Sequence, residues 1–169
     1  MSAAGDERVA APRGVARAAV ATMAIAWVPV ALWVAVIFAL SGEQFSDANT
    51  ATWLSSMSFL HALGFSPDAL EVGHRIVRKS AHFVEYAVLS LLAVRALRWT
   101  RPEMKAPPLL VTALGVAALC AGADELWQGM GTLTRSGTVG DVVLDAVGAC
   151  VGAVVGVMYV SRHRRRAAT

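Results

Sequence analysis

Four long apolar stretches constrain this chain more than any other feature of its sequence. They cover residues 18–40, 81–99, 109–128 and 139–160, and each is close to the roughly 20 residues that a helix needs to cross the bilayer hydrocarbon. The chain is 56% hydrophobic with a mean hydropathy of +0.55, values outside the range of soluble globular domains. The sequence therefore predicts an all-α, polytopic membrane protein with four transmembrane helices.

The first stretch has one competing interpretation, a secretory signal peptide, because Arg8, Arg13 and Arg17 precede it. Its apolar run is longer than the roughly 7 to 15 residues of a signal core, and no small-x-small cleavage site follows it. An uncleaved first span is the favoured interpretation.

The distribution of basic residues predicts the orientation. Eleven of the 15 Lys and Arg residues lie on one side of the predicted spans. They are Arg8, Arg13, Arg17, Arg95, Arg98, Arg101, Lys105, Arg162, Arg164, Arg165 and Arg166. The positive-inside rule then predicts a multi-pass protein of the cell membrane with both termini cytoplasmic. The same bias explains the basic pI, so no nucleic-acid partner is needed.

The connections and tails are also assigned from their composition. Residues 1–16 are predicted to be a disordered cytoplasmic tail, and residues 162–169 a basic cytoplasmic tail. In the long external connection, Trp53, Met57 and Leu60 recur at helical spacing, which predicts an amphipathic helix on the membrane surface. Ser66 followed by Pro67 is typical of a helix start.

Small residues in the last stretch predict close helix packing. Gly148, Gly152 and Gly156 recur every four residues, and this spacing lets helix backbones approach closely in lipid. Cys120 and Cys150 fall within the third and fourth spans and are assigned a packing role, because their spacing matches no metal site.

Ionisable residues in the apolar spans indicate a functional site, because an intramembrane charge costs roughly 3 kcal/mol or more. They are Lys79, His82, Glu85, Asp124, Glu125, Asp141 and Asp145. At about 1.5 Å per residue from the cytoplasmic edges, Asp124 lies about 22 Å, His82 about 24 Å and Asp145 about 22 Å up their helices. Three helices thus bring polar groups to one depth.

Helical spacing groups these residues into stripes that are expected to face one another. Lys79, His82 and Tyr86 stand at i, i+3 and i+7, while Asp124 and Gln128, like Asp141 and Asp145, stand at i and i+4. Adjacent acids point to different faces of a helix, so Asp124 and Glu125 are not both expected at the site. Asp124 is placed inwards because Gln128 shares its stripe, and Glu125 is the weaker candidate for the site.

Three separated sequence blocks resemble the VanZ-like membrane proteins. The blocks are the run RKSAHFVEY at residues 78–86, the run DELWQ at residues 124–128, and Arg135 with Asp141 ahead of a glycine-rich last span. The resemblance covers residues 33–156 and makes residues 17–161 a VanZ-like four-helix membrane domain. The family usually has His in place of Trp127 and Asn in place of Asp145, and Ser41 with Gln44 matches its Ser/Gln segment only in part.

The resemblance implies a role at the cell envelope, because the family takes its name from a protein linked to reduced susceptibility to the glycopeptide teicoplanin. The leading hypothesis is action at the outer leaflet on a cell-envelope lipid or its phosphate or glycan head group, by acid/base chemistry. The alternatives are a non-catalytic protein that binds such a lipid or a partner, and a buried salt-bridge network that fixes the bundle. The sequence does not decide whether the protein is an enzyme.

Candidate roles follow from side-chain chemistry. A buried imidazole and carboxylates can exchange protons, so the catalytic candidates are His82, Glu85, Asp124, Glu125 and Asp145. Cationic and hydrogen-bonding groups suit ligand binding, so the ligand-binding candidates are Arg78, Lys79, Tyr86, Gln128, Arg135 and Asp141.

Several alternatives remain open at these positions. Asp141 has a structural alternative, since Thr138-x-x-Asp141 reads as a capping box. Asp145 is either ionised beside a cation, such as Arg135, Lys79 or a metal, or protonated as a hydrogen-bond donor. No cofactor is predicted, although the carboxylates with His82 could hold a divalent cation.

Overall fold

Four long helices make up the fold. The structure is a computed structural model that describes residues 13–41, 64, 66–131 and 139–167. The helices are α1 (Arg13–Leu40), α2 (Pro67–Thr100), α3 (Ala106–Gly131) and α4 (Val139–Ala167). These described ranges contain no strand, so the predicted all-α class is confirmed.

Each helix is long and apolar enough to cross a membrane, as the sequence predicts. The spanning segments are Arg17–Leu40, Asp68–Thr100, Ala106–Trp127 and Val142–His163. Large apolar side chains point away from the bundle, and Leu119, for example, is 78% exposed. Because hydrocarbon is the solvent for such a surface, outward apolar side chains are expected here. The chain is thus a four-span membrane protein.

The longest helix, α2, is the centre of the bundle. It has 34 residues and contacts α1, α3 and α4, with α4 the most extensive neighbour. Leu89, Ala93 and Val94 on α2 are fully buried against side chains of the surrounding helices. Side chains placed on α2 therefore meet groups from every other helix.

Glycines on α4 bring its backbone against α2, which confirms the tight packing predicted from their spacing. A Cβ added to Gly148 would lie 2.3 Å from the carbonyl oxygen of Phe83, and one added to Gly152 would lie 1.9 Å from that of Ala87. Neither position has room for a side chain. The close approach explains why the α2–α4 contact is so extensive.

The ends of α2 are fixed by local hydrogen bonds. The Ser66 hydroxyl accepts a hydrogen bond from the backbone N–H of Ala69 at 3.2 Å, which confirms the predicted helix start. At the other end, Arg98 Nη1 donates to the carbonyl of Met104 at 3.1 Å across the short turn to α3. The predicted amphipathic helix around Trp53 lies outside the described residues.

Candidate functional site

Buried polar side chains gather at one end of the bundle. Ser41 (2% exposed) directly follows α1, while His82 (8%) and Glu85 (8%) lie on α2 and Asp124 (4%) lies on α3. The side chain of Asp145 on α4 is 14% exposed. We call these five residues the polar cluster. It lies where α1 and α3 end and α4 begins, opposite the end where α1 begins and α4 ends.

The closest ionisable pair joins α2 to α4. His82 Nδ1 lies 3.3 Å from Asp145 Oδ1, with both side chains nearly buried. Gly148 explains how these side chains meet, because it follows Asp145 by three residues and lets α4 approach the backbone of Phe83, the neighbour of His82. A Cβ at position 148 would push the two helices apart. Backbone packing thus sets the distance between the imidazole and the carboxylate.

Asp124 is held by a hydroxyl from the residue that follows α1. Ser41 Oγ donates a hydrogen bond to Asp124 Oδ2 at 2.9 Å, and the contact is buried. The same two helices meet again nearby, where the rings of Phe38 and Trp127 pack edge to face with centroids 6.3 Å apart. Ser41 was not predicted as a site residue. The available signal was its position at the end of the first apolar stretch, in the segment that partly matches the family.

Glu85 lies beside a second link from α1. Trp33 Nε1 donates to the backbone carbonyl of Glu85 at 2.9 Å. A backbone carbonyl has two lone pairs, so the Glu85 carbonyl can accept this bond and keep its hydrogen bond within α2. The indole therefore links α1 to α2 without disrupting the helix. The indole and the Ser41 hydroxyl therefore hold α1 against the other two helices at the polar cluster.

Tyr86 and Cys120 border the polar cluster from inside the bundle. Each lies within electrostatic range of Glu85, Asp124 and Asp145. Tyr86 is 2% exposed, and its hydroxyl makes no hydrogen bond within the described ranges. Tyr86 and Cys120 are thus both near the same three carboxyl groups. Side chains from α2, α3 and α4 therefore converge, as their equal depth predicts.

The remaining predicted site residues fall outside the polar cluster or outside the described residues. Lys79 and Glu125 are exposed, and Arg78 is half-buried. Gln128 and Asp141 lie on α3 and α4, but their side chains are outside the described part of the chain, and Arg135 is outside it altogether. The structure thus separates the adjacent acids of α3, with Asp124 buried and Glu125 at the surface.

The side chains of the polar cluster include groups that can exchange protons. Across the described ranges, no three His, Cys, Asp or Glu side chains are grouped so that they could hold a metal ion. The polar cluster instead offers one imidazole, three carboxyl groups and a serine hydroxyl. Such groups, packed closely in an apolar bundle, can accept or donate a proton to a bound molecule.

Comparison with known proteins identifies the family. The VanZ/LLP1 family model matches residues 26–160, which include every residue of the polar cluster. Neither the search of curated proteins nor the search of solved structures finds a match. At the two positions where the resemblance implies other residues, Trp127 packs on Phe38 and Asp145 contacts His82. Because the match covers most of the chain and all four helices, the chain belongs to the VanZ/LLP1 family.

Proposed function

We propose that this protein acts at the outer leaflet of the cell membrane on a cell-envelope lipid, or on its phosphate or glycan head group, through the polar cluster. The single observation that carries the proposal is the contact between His82 Nδ1 and Asp145 Oδ1, nearly buried at 3.3 Å beside Glu85 and Asp124. Placing ionisable groups at this depth is costly, and such groups mark functional sites by default.

The geometry of the pair suits acid/base chemistry. A carboxylate close to Nδ1 can orient an imidazole for proton transfer. The proton that matters for chemistry then moves through Nε2, which would accept it from a bound hydroxyl or water or return it to a leaving oxygen. Glu85 and Asp124 supply further carboxyl groups within the same buried region.

The outer-leaflet location rests on the charge distribution. Arg17, Arg98, Arg101 and Lys105 lie at the end of the bundle opposite the polar cluster. Under the positive-inside rule that end is cytoplasmic, so the polar cluster would face the outside of the cell. A lipid head group carried on the outer leaflet is the substrate class that reaches this depth from that side.

A conversion assay tests the proposal. The full-length protein in lipid nanodiscs is incubated with a total lipid extract of a bacterial envelope, and the lipids are analysed by mass spectrometry for mass changes. We expect the parent protein to convert a lipid, and Asp124→Asn and His82→Gln to lose conversion by at least about 100-fold, the usual size of acid/base contributions. Glu125→Gln is the matched control, because Glu125 is exposed on the same helix, and it should retain conversion.

A non-catalytic binding role is the second candidate. The hydrogen bond from Ser41 to Asp124 favours it, because a carboxylate held rigidly by a neighbour is suited to recognising a fixed ligand shape. Capture of a lipid by the parent protein with no mass change, weakened by Asp124→Asn but not by Glu125→Gln, would establish binding and refute turnover. If neither capture nor conversion occurs, both proposals fail, and a purely structural polar cluster is left.

The resemblance to the family also provides a cellular test. Expressed in a teicoplanin-susceptible bacterium, the parent protein should raise the inhibitory concentration of teicoplanin, and Asp124→Asn should remove the increase at equal expression. An Asp124→Asn variant as protective as the parent would contradict a role for the polar cluster.

A further inference from the structure

Basic residues stand on α2 just outside the polar cluster. Arg75, Arg78 and Lys79 are three of the four Lys and Arg residues on the predicted outer side of the membrane. They run against the positive-inside bias of the other eleven, so the topology signal does not explain them. Arg75 and Lys79 are exposed, whereas Arg78 is half-buried. We call the two exposed residues, Arg75 and Lys79, the basic pair.

The basic pair lies on the same face of α2 as buried residues of the site. Arg75 precedes His82 by seven residues. Lys79 precedes Tyr86 by the same number. Seven residues make nearly two helical turns, so each cation is within about 20° of the side chain that it precedes. Because His82 and Tyr86 are buried in the bundle, the basic pair continues the inward face of α2 beyond the polar cluster.

The lipid-facing side of α2 lies elsewhere on the helix. Val77, Val84 and Leu91 recur every seven residues, and all three are exposed. Val84 follows Lys79 by five residues, which is about 140° around the helix. Lys79 therefore does not stand on the side where a basic side chain would extend along lipid to the nearest head groups.

Neither cation of the basic pair has a buried partner. Within the described ranges, Lys79 makes no hydrogen bond or ion pair. Arg75 pairs with Glu71 one turn away, and these two side chains are 70% and 56% exposed. An exposed pair of this kind contributes little to stability, and it uses only part of the guanidinium fork. Both cations are thus accessible to an anion from outside the bundle.

We propose that the basic pair holds the phosphate of the lipid on which the polar cluster acts, an inference that rests on the proposed function. An ammonium and a guanidinium at i and i+4 are neighbours on the helix surface, and both bind phosphate oxygens with charge-assisted hydrogen bonds. Along the helix axis, Lys79 lies about 4.5 Å and Arg75 about 10.5 Å outside His82. A phosphate held there is within one head group of the imidazole.

The charges also set the orientation of the head group. The polar cluster contains three carboxyl groups and one imidazole, so a phosphate inside it would meet acids rather than cations. The phosphate is therefore placed at the basic pair, while an uncharged, hydroxyl-bearing part of the head group extends to His82. The substrate class is a lipid whose phosphate is joined to such a group, for example a glyceryl or glycosyl phosphate.

Magnetic resonance of the full-length protein in micelles reports the two locations separately. Lys79 and Lys105 are the only lysines of the sequence, so ¹³C-labelled lysine gives one signal for each, and ¹⁵N-labelled histidine reports His82. The protein is titrated with short-chain phosphatidylglycerol, with a glucosyl diacylglycerol of equal chain length, and with inorganic phosphate. We expect phosphatidylglycerol to shift the Lys79 and His82 signals together and to bind several-fold more tightly than the uncharged glycolipid.

Matched substitutions test the charges. The dissociation constant of phosphatidylglycerol, followed at the His82 signal, should rise about threefold in Lys79→Gln and about tenfold when Arg75→Gln is added, as for exposed charge pairs. Lys79→Arg keeps the charge and should stay close to the parent. Lys105→Gln removes the other lysine, which is exposed at the far end of the bundle, and should leave the constant unchanged.

The outcomes separate this inference from the proposed function. A His82 signal that shifts with lipid while the Lys79 signal does not would overturn the basic pair and leave the proposed function standing. The reverse result would support phosphate binding by the basic pair and count against the proposed function. An unchanged constant in the double variant, or an equal loss in Lys105→Gln, overturns the inference. Inorganic phosphate that shifts the Lys79 signal as strongly as the lipid would assign the site to a soluble anion and overturn it too.

Discussion

Gly152 marks the closest approach of α4 to α2, so enlarging it tests the packing of the bundle directly. A Cβ at this position would lie 1.9 Å from the Ala87 carbonyl oxygen and 2.6 Å from its carbonyl carbon, whereas real Cβ atoms essentially never approach within 3.0 Å. The atoms in the way belong to the backbone, so no change of rotamer relieves the clash. Gly152→Ala therefore requires the two helices to separate by roughly 1 Å.

The expected cost follows from two opposing terms. Overpacking of this kind costs about 1 to 3 kcal/mol, while alanine is a better helix former than glycine by about 1 kcal/mol. Gly122 on α3 separates the terms, because a Cβ there would meet nothing within 4 Å. Gly122→Ala should gain helix propensity alone. The free energy of unfolding of Gly152→Ala should then fall below that of Gly122→Ala by about 1 to 3 kcal/mol.

Reversible unfolding in mixed micelles with increasing dodecyl sulfate, followed by far-ultraviolet circular dichroism, measures this difference. The comparison between two Gly→Ala variants cancels the change in the unfolded chain. If Gly152→Ala is as stable as Gly122→Ala, or more stable, α2 and α4 do not pack as described, and the position of Asp145 beside His82 loses its support.

Two further predictions concern the polar cluster. Ser41→Ala should lower the free energy of unfolding by about 1 to 3 kcal/mol, because Asp124 loses a buried donor. As a control, Thr112→Val changes an exposed hydroxyl residue and should stay within about 0.5 kcal/mol of the parent. Equal effects of the two substitutions would refute the buried hydrogen bond. In a double-mutant cycle of His82→Gln and Asp145→Asn, the changes in the free energy of unfolding should differ from additivity by about 0.5 to 3 kcal/mol. Strict additivity would show that the two side chains are not in contact.

The fold was predictable because each spanning helix carries its own signal. Apolar length alone identifies the four spans, and the capping hydroxyl of Ser66 marks where α2 begins. The glycine spacing on α4 indicates a close helix contact, although the sequence does not say with which helix. The contact with α2 appears only when the backbones are placed, since glycine has no side chain that selects a partner.

The sequence predicts the depth of the site residues along their helices, but it predicts only in part which of them face the centre of the bundle. Equal counts along the helices bring His82 and Asp145 to one level, and they are in contact. Helical spacing groups Lys79 with His82, yet a three-residue step leaves two side chains about 60° apart around a helix, and Lys79 is exposed. Ser41 was missed because a serine at the end of an apolar stretch looks the same whether it faces solvent or a buried carboxylate.

A distance measured in a lipid bilayer tests the contact between α2 and α4 most directly. In solid-state magnetic resonance of the full-length protein, with ¹⁵N-labelled histidine and ¹³C-labelled aspartate, a dipolar coupling should appear between the His82 ring and the Asp145 carboxyl carbon. The 3.3 Å contact between Nδ1 and Oδ1 puts the nitrogen no more than about 4.5 Å from that carbon. We expect the coupling in the parent protein and its loss in Asp145→Asn. A parent protein without the coupling, or a coupling that persists in Asp145→Asn, would contradict a polar cluster assembled between these helices.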